Sequence, residues 1–264
     1  MIKFTIVTIT YNAAAVFMRT ADSVARQTYT AVEHLIIDGA SSDGTKQLAE
    51  EYKKASDAAG NGHEVRIVSE PDKGLYDAMN KGRRMASGDY ICFLNAGDFF
   101  PSADTLAVIA ANACLEECGS EGKPLPAVLY GDTDWVDNDG NYLSRRRLTP
   151  PEKLTWRSFR HGMLVCHQAF YARTDIAKRV AYDLRYRFSA DVDWCIRVMK
   201  EADKMSLPLV NVHATVADYQ REGQSTKNHR ASLFERFNIM SRHYGLFTTI
   251  VMHAWFVIRA VIKK

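Results

Sequence analysis

Apolar and polar positions alternate in blocks along the first hundred residues, and the period of each block names its element. Phe4-Thr5-Ile6-Val7-Thr8-Ile9-Thr10 is a β-branched and aromatic run, as a buried parallel strand requires. Phe17, Ala21 and Val24 follow at spacings of four and three, one face of a helix that Asn12 is placed to cap. Residues 34–37 form a second strand, and Leu48 and Tyr52 share a face of the helix after it. Residues 65–68 make a third strand. Leu75, Ala78, Met79, Gly82 and Met85 line the next helix, and residues 90–94 make a fourth strand. Strands separated by helices predict parallel βαβ units with right-handed crossovers.

Beyond residue 100 the rhythm changes. A helix around Leu106, Ile109 and Ala113 leads through the Gly/Pro-containing stretch 119–126 to a strand at 127–130. Asn138-Asp139-Gly140-Asn141 reads as a hairpin turn between strands at 132–136 and 142–147. Strand signals at 164–171 and 209–219 flank a helix over 191–202. These predict a mixed continuation of the same sheet, without a linker or repeat that would mark a second domain. Residues 246–262 are strongly apolar, broken only by His253 and Arg259 among charged or ionisable residues, and Lys263-Lys264 follows. That run is short for a bilayer span. It suits an interfacial helix or a terminal helix packed on the domain or on a partner chain.

Composition narrows the class. The 264 residues, 47% hydrophobic and 25% charged, are those of a globular α/β chain. A formal net charge of +3 gives no reason to expect nucleic acid. The opening lacks a basic leader and a cleavage site, so a first strand is expected rather than a signal peptide. Five cysteines without framework spacing fit a reducing compartment, and the expected location is the cytoplasm, with the tail suited to the inner face of the cell membrane. Cys114 and Cys118 lie one helical turn apart without a nearby ligand pair, which favours apolar filler over zinc.

In an open parallel sheet, ligands bind outside the carboxyl ends of the strands. Thr10-Tyr11-Asn12 follows the first strand, Asp38 the second, Glu70-Pro71-Asp72 the third and Asn95-Ala96-Gly97-Asp98 the fourth. Singly, each is an ordinary turn; together they aim four polar loops at one crevice.

These residues resemble the inverting family 2 glycosyltransferases of the GT-A fold. Thr8-Ile9-Thr10-Tyr11-Asn12 is similar to that family's first-strand signature, and Asp38-Gly39-Ala40-Ser41-Ser42-Asp43-Gly44-Thr45 to its D-G-S-S-D-G-T loop. Asp72 to Gly82 follows its N-x-G-x-x-x-A-R-N-x-G segment at the glycines, Ala78 and Asn80, with Asp72 for Asn and Met79 for Arg. The resemblance implies an α/β fold of one GT-A domain, its Rossmann-like, mostly parallel sheet flanked by helices. It divides into a nucleotide-binding half at 1–100 and an acceptor half at 101–225, with a helical extension at 226–264. It also implies transfer from a nucleotide-diphosphate sugar, UDP-linked, to a glycan or lipid-linked acceptor in surface polysaccharide synthesis. The transferred group would be a hexosyl or N-acetylhexosaminyl unit.

By resemblance Asp38 takes the ring N–H of a uracil-type base. Thr10 and Tyr11 wall the base pocket, with Asn12, Asp72, Asn80 and Asn95 also on the nucleotide. A leaving diphosphate concentrates negative charge, which a divalent cation offsets. Mn²⁺ or Mg²⁺ needs one or two carboxylates besides the phosphates. The family's acidic cluster is depleted here: Asn95 stands in the first acidic position and Gly97 in the next, leaving Asp98. Asp98 either ligates the metal or caps the turn before Phe99-Phe100-Pro101.

Direct displacement with inversion needs one general base for the acceptor hydroxyl. Ser189-Ala190-Asp191-Val192-Asp193-Trp194 is similar to the family's E-D-x-D-L stretch, which assigns the base to Asp191; the alternative is a helix N-cap. Asp193 reads as structural. His167-Gln168 lies in a strand-like segment and either touches substrate or is a core pair. Arg221, in Tyr219-Gln220-Arg221-Glu222-Gly223-Gln224-Ser225, is placed to close over a diphosphate. Arg145-Arg146-Arg147 suits an anionic partner or a solvated strand edge. Two other functions share the sheet: a non-catalytic nucleotide-sugar binder, and a nucleotidyltransferase, which would need glycines after the first strand where Ala13-Ala14-Ala15 stands. A dehydrogenase would need G-x-G-x-x-G there.

Overall fold

Eight strands form one sheet in a computed structural model that describes residues 1–115, 124–221 and 228–262. In chain order the first half runs β1 (Phe4–Thr10), α1 (Ala14–Ala25), β2 (Val32–Asp38), α2 (Thr45–Ala59), β3 (Glu64–Ser69), α3 (Leu75–Met85) and β4 (Tyr90–Phe93). The second half runs α4 (Thr105–Leu115), β5 (Val128–Val136), β6 (Tyr142–Arg145), β7 (Phe170–Arg173), α5 (Thr174–Arg179), α6 (Ala190–Lys204) and β8 (Leu209–Gln220). Two helices follow, α7 (His229–Tyr244) and α8 (Leu246–Ile262). The 3-10 turns Trp156–His161 and His167–Ala169 punctuate the second half.

The order β3-β2-β1-β4-β7-β5-β6 is parallel from β3 to β4 and antiparallel where β7 joins β4 and β5. Val128 pairs with both Ala172 of β7 and Leu209 of β8, so β8 lies along the free edge of β5. β1 and β2 are buried at every position, as their uninterrupted apolar and threonine runs require. The strand ends are level: Thr10, Asp38 and Ser69 are register partners across β1, β2 and β3.

Three expectations change. Asn12 does not cap α1. It adopts a left-handed backbone (φ 48°), and its Oδ1 accepts the Ser42 N–H at 2.9 Å. The amides of Ala13 and Ala14 are met instead by Thr45 Oγ1 and the Asp43 carboxylate of the neighbouring loop. The strand signal at 164–171 shrinks to β7, because the Cys166–Ala169 segment coils into a 3-10 turn carrying His167 and Gln168. The strands expected at 127–130 and 132–136 are one strand, β5. Cys118 and residues 119–123 lie outside the described residues, as do Gly223, Gln224 and Ser225.

A column of aromatic rings joins the two halves. Tyr182 stacks on Tyr76 at 5.6 Å and on Trp194 at 4.9 Å, and Phe93 and Phe170 meet Trp194 edge-on. The fully buried Trp194 donates its indole N–H to Val180 O at 2.8 Å. Asn80 clamps the same loop, accepting the Tyr182 N–H and donating to its carbonyl at 2.9 and 3.0 Å. α3 and α6 are thereby fixed against each other, with Tyr76 and Asp191 at their facing ends.

Candidate active site

The first and second loops form one wall. The Asp38 carboxylate, fully buried at the end of β2, accepts from the Ser41 hydroxyl and main chain and from Ser69 Oγ at 2.6 Å. Thr10 Oγ1 is buried beside it without a hydrogen-bond partner among the described residues. Gly39 leaves space that two neighbouring side chains occupy. A Cβ there would lie 2.7 Å from Asp72 Oδ2 and 3.2 Å from the Tyr11 ring. Its absence lets the half-buried Asp72 and the exposed Tyr11 converge over the end of β2. Asp72 also accepts the Gly74 N–H at 2.7 Å, at the start of α3. The exposed Tyr11 ring, the Asp38 and Asp72 carboxylates and the Thr10 and Ser41 hydroxyls gather at these strand ends, groups of the kind that engage a nucleobase and ribose.

The second wall is built on the His167–Ala169 turn. Gln168 donates to Asp98 Oδ2 at 2.9 Å. His167 Nε2 lies 3.2 Å from Asn95 Nδ2, and its Nδ1 lies 3.3 Å from Asp191 Oδ2. His167 Nδ1–H donates to Asp191; the neutral ring accepts from Asn95 at Nε2, and a protonated ring adds a positive charge beside both carboxylates. The Tyr76 hydroxyl donates to Asp191 Oδ1 at 3.1 Å. Asn95, Asp98, His167, Gln168 and Asp191, spread over nearly a hundred positions of sequence, thus belong to one hydrogen-bonded line. The line abuts the first wall, since the Ala96 N–H donates to Ile9 O at 3.1 Å.

The two carboxyls differ in their electrostatics. Burial pushes Asp98 up to about 6, against smaller opposing effects of the Gln168 hydrogen bond and the His167 charge. Burial also raises Asp191, but the His167 hydrogen bond and charge, the Arg236 charge and the Tyr76 hydrogen bond outweigh it. The net result lies below the ordinary carboxylate value. Asp191 sits in the first turn of α6 without capping it, as Ser189 holds the N-cap position. Asp193 turns away to Arg197 and His243 at 2.6 and 2.8 Å, a structural pair.

Asn80 is spent on the Tyr182 clamp, buried away from the crevice. Arg221 lies at the end of β8 with its guanidinium 5.3 Å from the Trp135 ring centre. Arg146 binds the carbonyls of Leu148, Met163 and Leu164, supporting the chain before His167. Sequence reasoning missed Tyr76, whose neighbours Asp72 and Asn80 were both singled out, and it missed Arg236 and Glu235 on α7.

The family model described as glycosyl transferase family 2 matches residues 5–180. The chain belongs to this family. A PGL/p-HBAD biosynthesis glycosyltransferase of Mycobacterium bovis is 32% identical over 250 residues, covering 94% of this chain and 89% of the relative. Among solved structures, S. aureus TarS in complex with UDP superposes with a TM-score of 0.65 at 16% identity. That match covers 90% of this chain and 64% of the other, so the family member described here spans somewhat under two thirds of that structure. The mannosyltransferase PcManGT of Pyrobaculum calidifontis, in complex with GDP-Man and Mn²⁺, gives 0.55 at 17% identity, over 96% and 74% of the chains. The enzyme is therefore a glycosyltransferase of GT-A architecture. The family match ends before Asp191, whereas the mycobacterial relative covers most of the chain.

Proposed function

We propose that this enzyme moves a hexosyl or N-acetylhexosaminyl unit from a UDP-sugar to an acceptor hydroxyl with inversion, using Asp191 as general base. The observation that carries the reading is the line Asp98–Gln168–His167–Asp191, which joins a phosphate-end carboxylate to a base-end carboxylate. Asp38, Asp72, Thr10 and Tyr11 receive the uridine; TarS, of the same fold, is described with UDP. The acceptor oxygen attacks the anomeric carbon, the bond to the diphosphate breaks, and the hydroxyl proton passes to Asp191. Tyr76 and His167 each hold one Asp191 oxygen, so the carboxylate is ionised and aimed before substrate arrives.

The residues present fit a divalent cation. Asn95 Oδ1 is buried with no hydrogen-bond partner among the described residues, and Asp98 lies three residues on in the same loop. Both offer the hard oxygen that Mg²⁺ and Mn²⁺ prefer. Asp98 and Asn95 would hold the ion, which when bound supplies positive charge to the leaving diphosphate. Labelled UDP-glucose, UDP-galactose, UDP-N-acetylglucosamine and GDP-mannose with Mn²⁺ test the donor. Release of UDP from one uridine donor is expected. Binding without release from any donor would make the chain a binder.

The acceptor is proposed to lie at a membrane surface. No helix among the described residues is long and apolar enough to cross a bilayer. α8 is instead turned inside out. Thr249 is buried and His253 packs on Phe237 at 5.1 Å, while Phe247, Ile250, Val251, Trp255, Val257 and Ile258 face solvent. Phe247 is 81% exposed, and Phe234 of α7 adds 69%. Residues 236–264 contain no Asp or Glu, but contain Arg236, Arg242, Arg259, Lys263 and Lys264. An apolar face with basic flanks suits an anionic lipid surface and a lipid-linked glycan acceptor. Each large side chain inserted is worth about 1.5–3 kcal/mol. Phe247→Glu with Trp255→Glu should therefore weaken sedimentation with vesicles containing phosphatidylglycerol at least about tenfold. Wild type that stays in the supernatant would remove this part of the reading.

A further inference from the structure

A general base is aimed by two restraints, one on its carboxylate oxygens and one on the backbone that carries it. Tyr76 and His167 supply the first, at 3.1 and 3.3 Å from the two Asp191 oxygens. The second comes from α7, beyond the residues that the family model matches. The Glu235 carboxylate accepts the main-chain N–H groups of Arg187, Phe188 and Ser189 at 2.7, 2.8 and 2.9 Å. Oε1 takes the first and Oε2 the other two. The Ser189 hydroxyl lies 3.0 Å from Ser232 Oγ, one turn earlier on α7.

Ser189 holds the N-cap position of α6, and Asp191 follows in the first turn. Arg187 and Phe188 lie ahead of the helix, in a stretch with neither helix nor strand of its own. Glu235 therefore does more than satisfy the amides that a helix start leaves open. It fixes the course by which the chain enters α6. Hydrogen bonds to the Asp191 oxygens orient the carboxylate only while that course is fixed. A shift of about 1 Å in a reacting group can cost about 10²-fold in rate.

We propose that Glu235 is a positioning residue for the general base, holding the backbone at 187–189 so that Asp191 stays aimed at the acceptor hydroxyl. α7 is thereby a working part of the active site. The proposal rests on the Asp191 reading above.

A double-variant cycle tests it, with Mn²⁺ and whichever of the three uridine donors above is turned over. UDP release and calorimetric UDP affinity are measured on wild type, Asp191→Asn, Glu235→Ala, Glu235→Gln and the Asp191→Asn, Glu235→Ala pair. Glu235→Ala should lower turnover about 10- to 100-fold, with UDP affinity within about threefold of wild type. Glu235→Gln keeps one oxygen for the Phe188 and Ser189 N–H groups and should lose only about three- to tenfold. In the Asp191→Asn background, Glu235→Ala should cost less than about threefold, because a base already removed cannot be misplaced.

Wild-type turnover in Glu235→Ala would overturn the proposal. So would an undiminished further loss in the Asp191→Asn background, or a fall in UDP affinity that matches the fall in turnover, since both mark general damage to the fold. If Glu235→Ala does not fold, Glu235→Gln carries the same cycle, and wild-type turnover or an undiminished loss there overturns the proposal equally. Asp191→Asn that turns over like wild type, or wild type that releases UDP from none of the three donors, would end the reading beneath the proposal and the proposal with it.

Discussion

Asp191→Asn is expected to lower turnover about 10²- to 10⁴-fold while leaving UDP affinity within a few-fold of wild type. The substitution keeps size and hydrogen-bonding capacity, so the Tyr76 hydroxyl at 3.1 Å and His167 at 3.3 Å retain a partner. It removes the negative charge and with it the capacity to accept a proton, and its amide nitrogen becomes a donor to the Tyr76 oxygen. Asp191 lies below the ordinary carboxylate range, because His167, Arg236 and Tyr76 together outweigh its burial. It is consequently ionised throughout the neutral range. A weak base of this kind accepts the proton late, once the acceptor oxygen has bonded to the anomeric carbon and become strongly acidic. Single-turnover rates with saturating donor separate this from a binding defect. Turnover within a few-fold of wild type would exclude Asp191 as the base.

Much of this site was legible in the sequence because it lies where local pattern and tertiary position coincide. β1 to β4 and their helices carry regular periods, and a parallel sheet sends every connecting loop to the same end. Asp38, Asp72 and Asp98 could therefore be grouped from order alone. Asn12 was misread for the opposite reason. The amides it was expected to cap are satisfied from the adjacent loop by Thr45 and Asp43, thirty residues away, and no local window holds that information. His167 and Gln168 looked like strand because alternation over 164–171 is compatible with one. What coils that segment is side-chain bonding to Asn95 and Asp98 in the loop after β4 and to Asp191 on α6. Asn80 illustrates the reverse case. Its place in a recognisable motif suggested the nucleotide, while the structure ties both ends of its amide to Tyr182. Tyr76 had no signal beyond its place in that motif, because a tyrosine on an amphipathic helix ordinarily reads as core. The helices after residue 228 carry contacts to the loop before Asp191 that depend wholly on how α7 docks.

Asp98→Ala should cost about 10²- to 10³-fold in turnover, the scale seen when one group stabilising a developing negative charge is removed. With a single carboxylate in the loop, no second acid compensates, and the Asn95 carbonyl oxygen alone is a weak ligand. Mn²⁺ titration in the presence of UDP should show saturable binding in wild type and none at the same concentrations in Asp98→Ala. Identical titrations would end the metal role. The pH dependence gives an independent check. Burial raises Asp98 to about 6 in the folded protein, above its unfolded value, so the protonated form is the one the fold favours. The stability it contributes is fully present below the unfolded value and is lost as pH rises through about 6. A cation reverses the preference by binding only the ionised form, and so competes with the proton. Apparent Mn²⁺ affinity should therefore fall about tenfold per unit as pH drops below about 6, and be flat above it. Asp218 is also raised to about 6 but sits beside Asp134 on the β5–β8 edge, so Asp218→Asn should leave that profile in place. A profile that moved with Asp218 and not with Asp98 would relocate the cation to that edge.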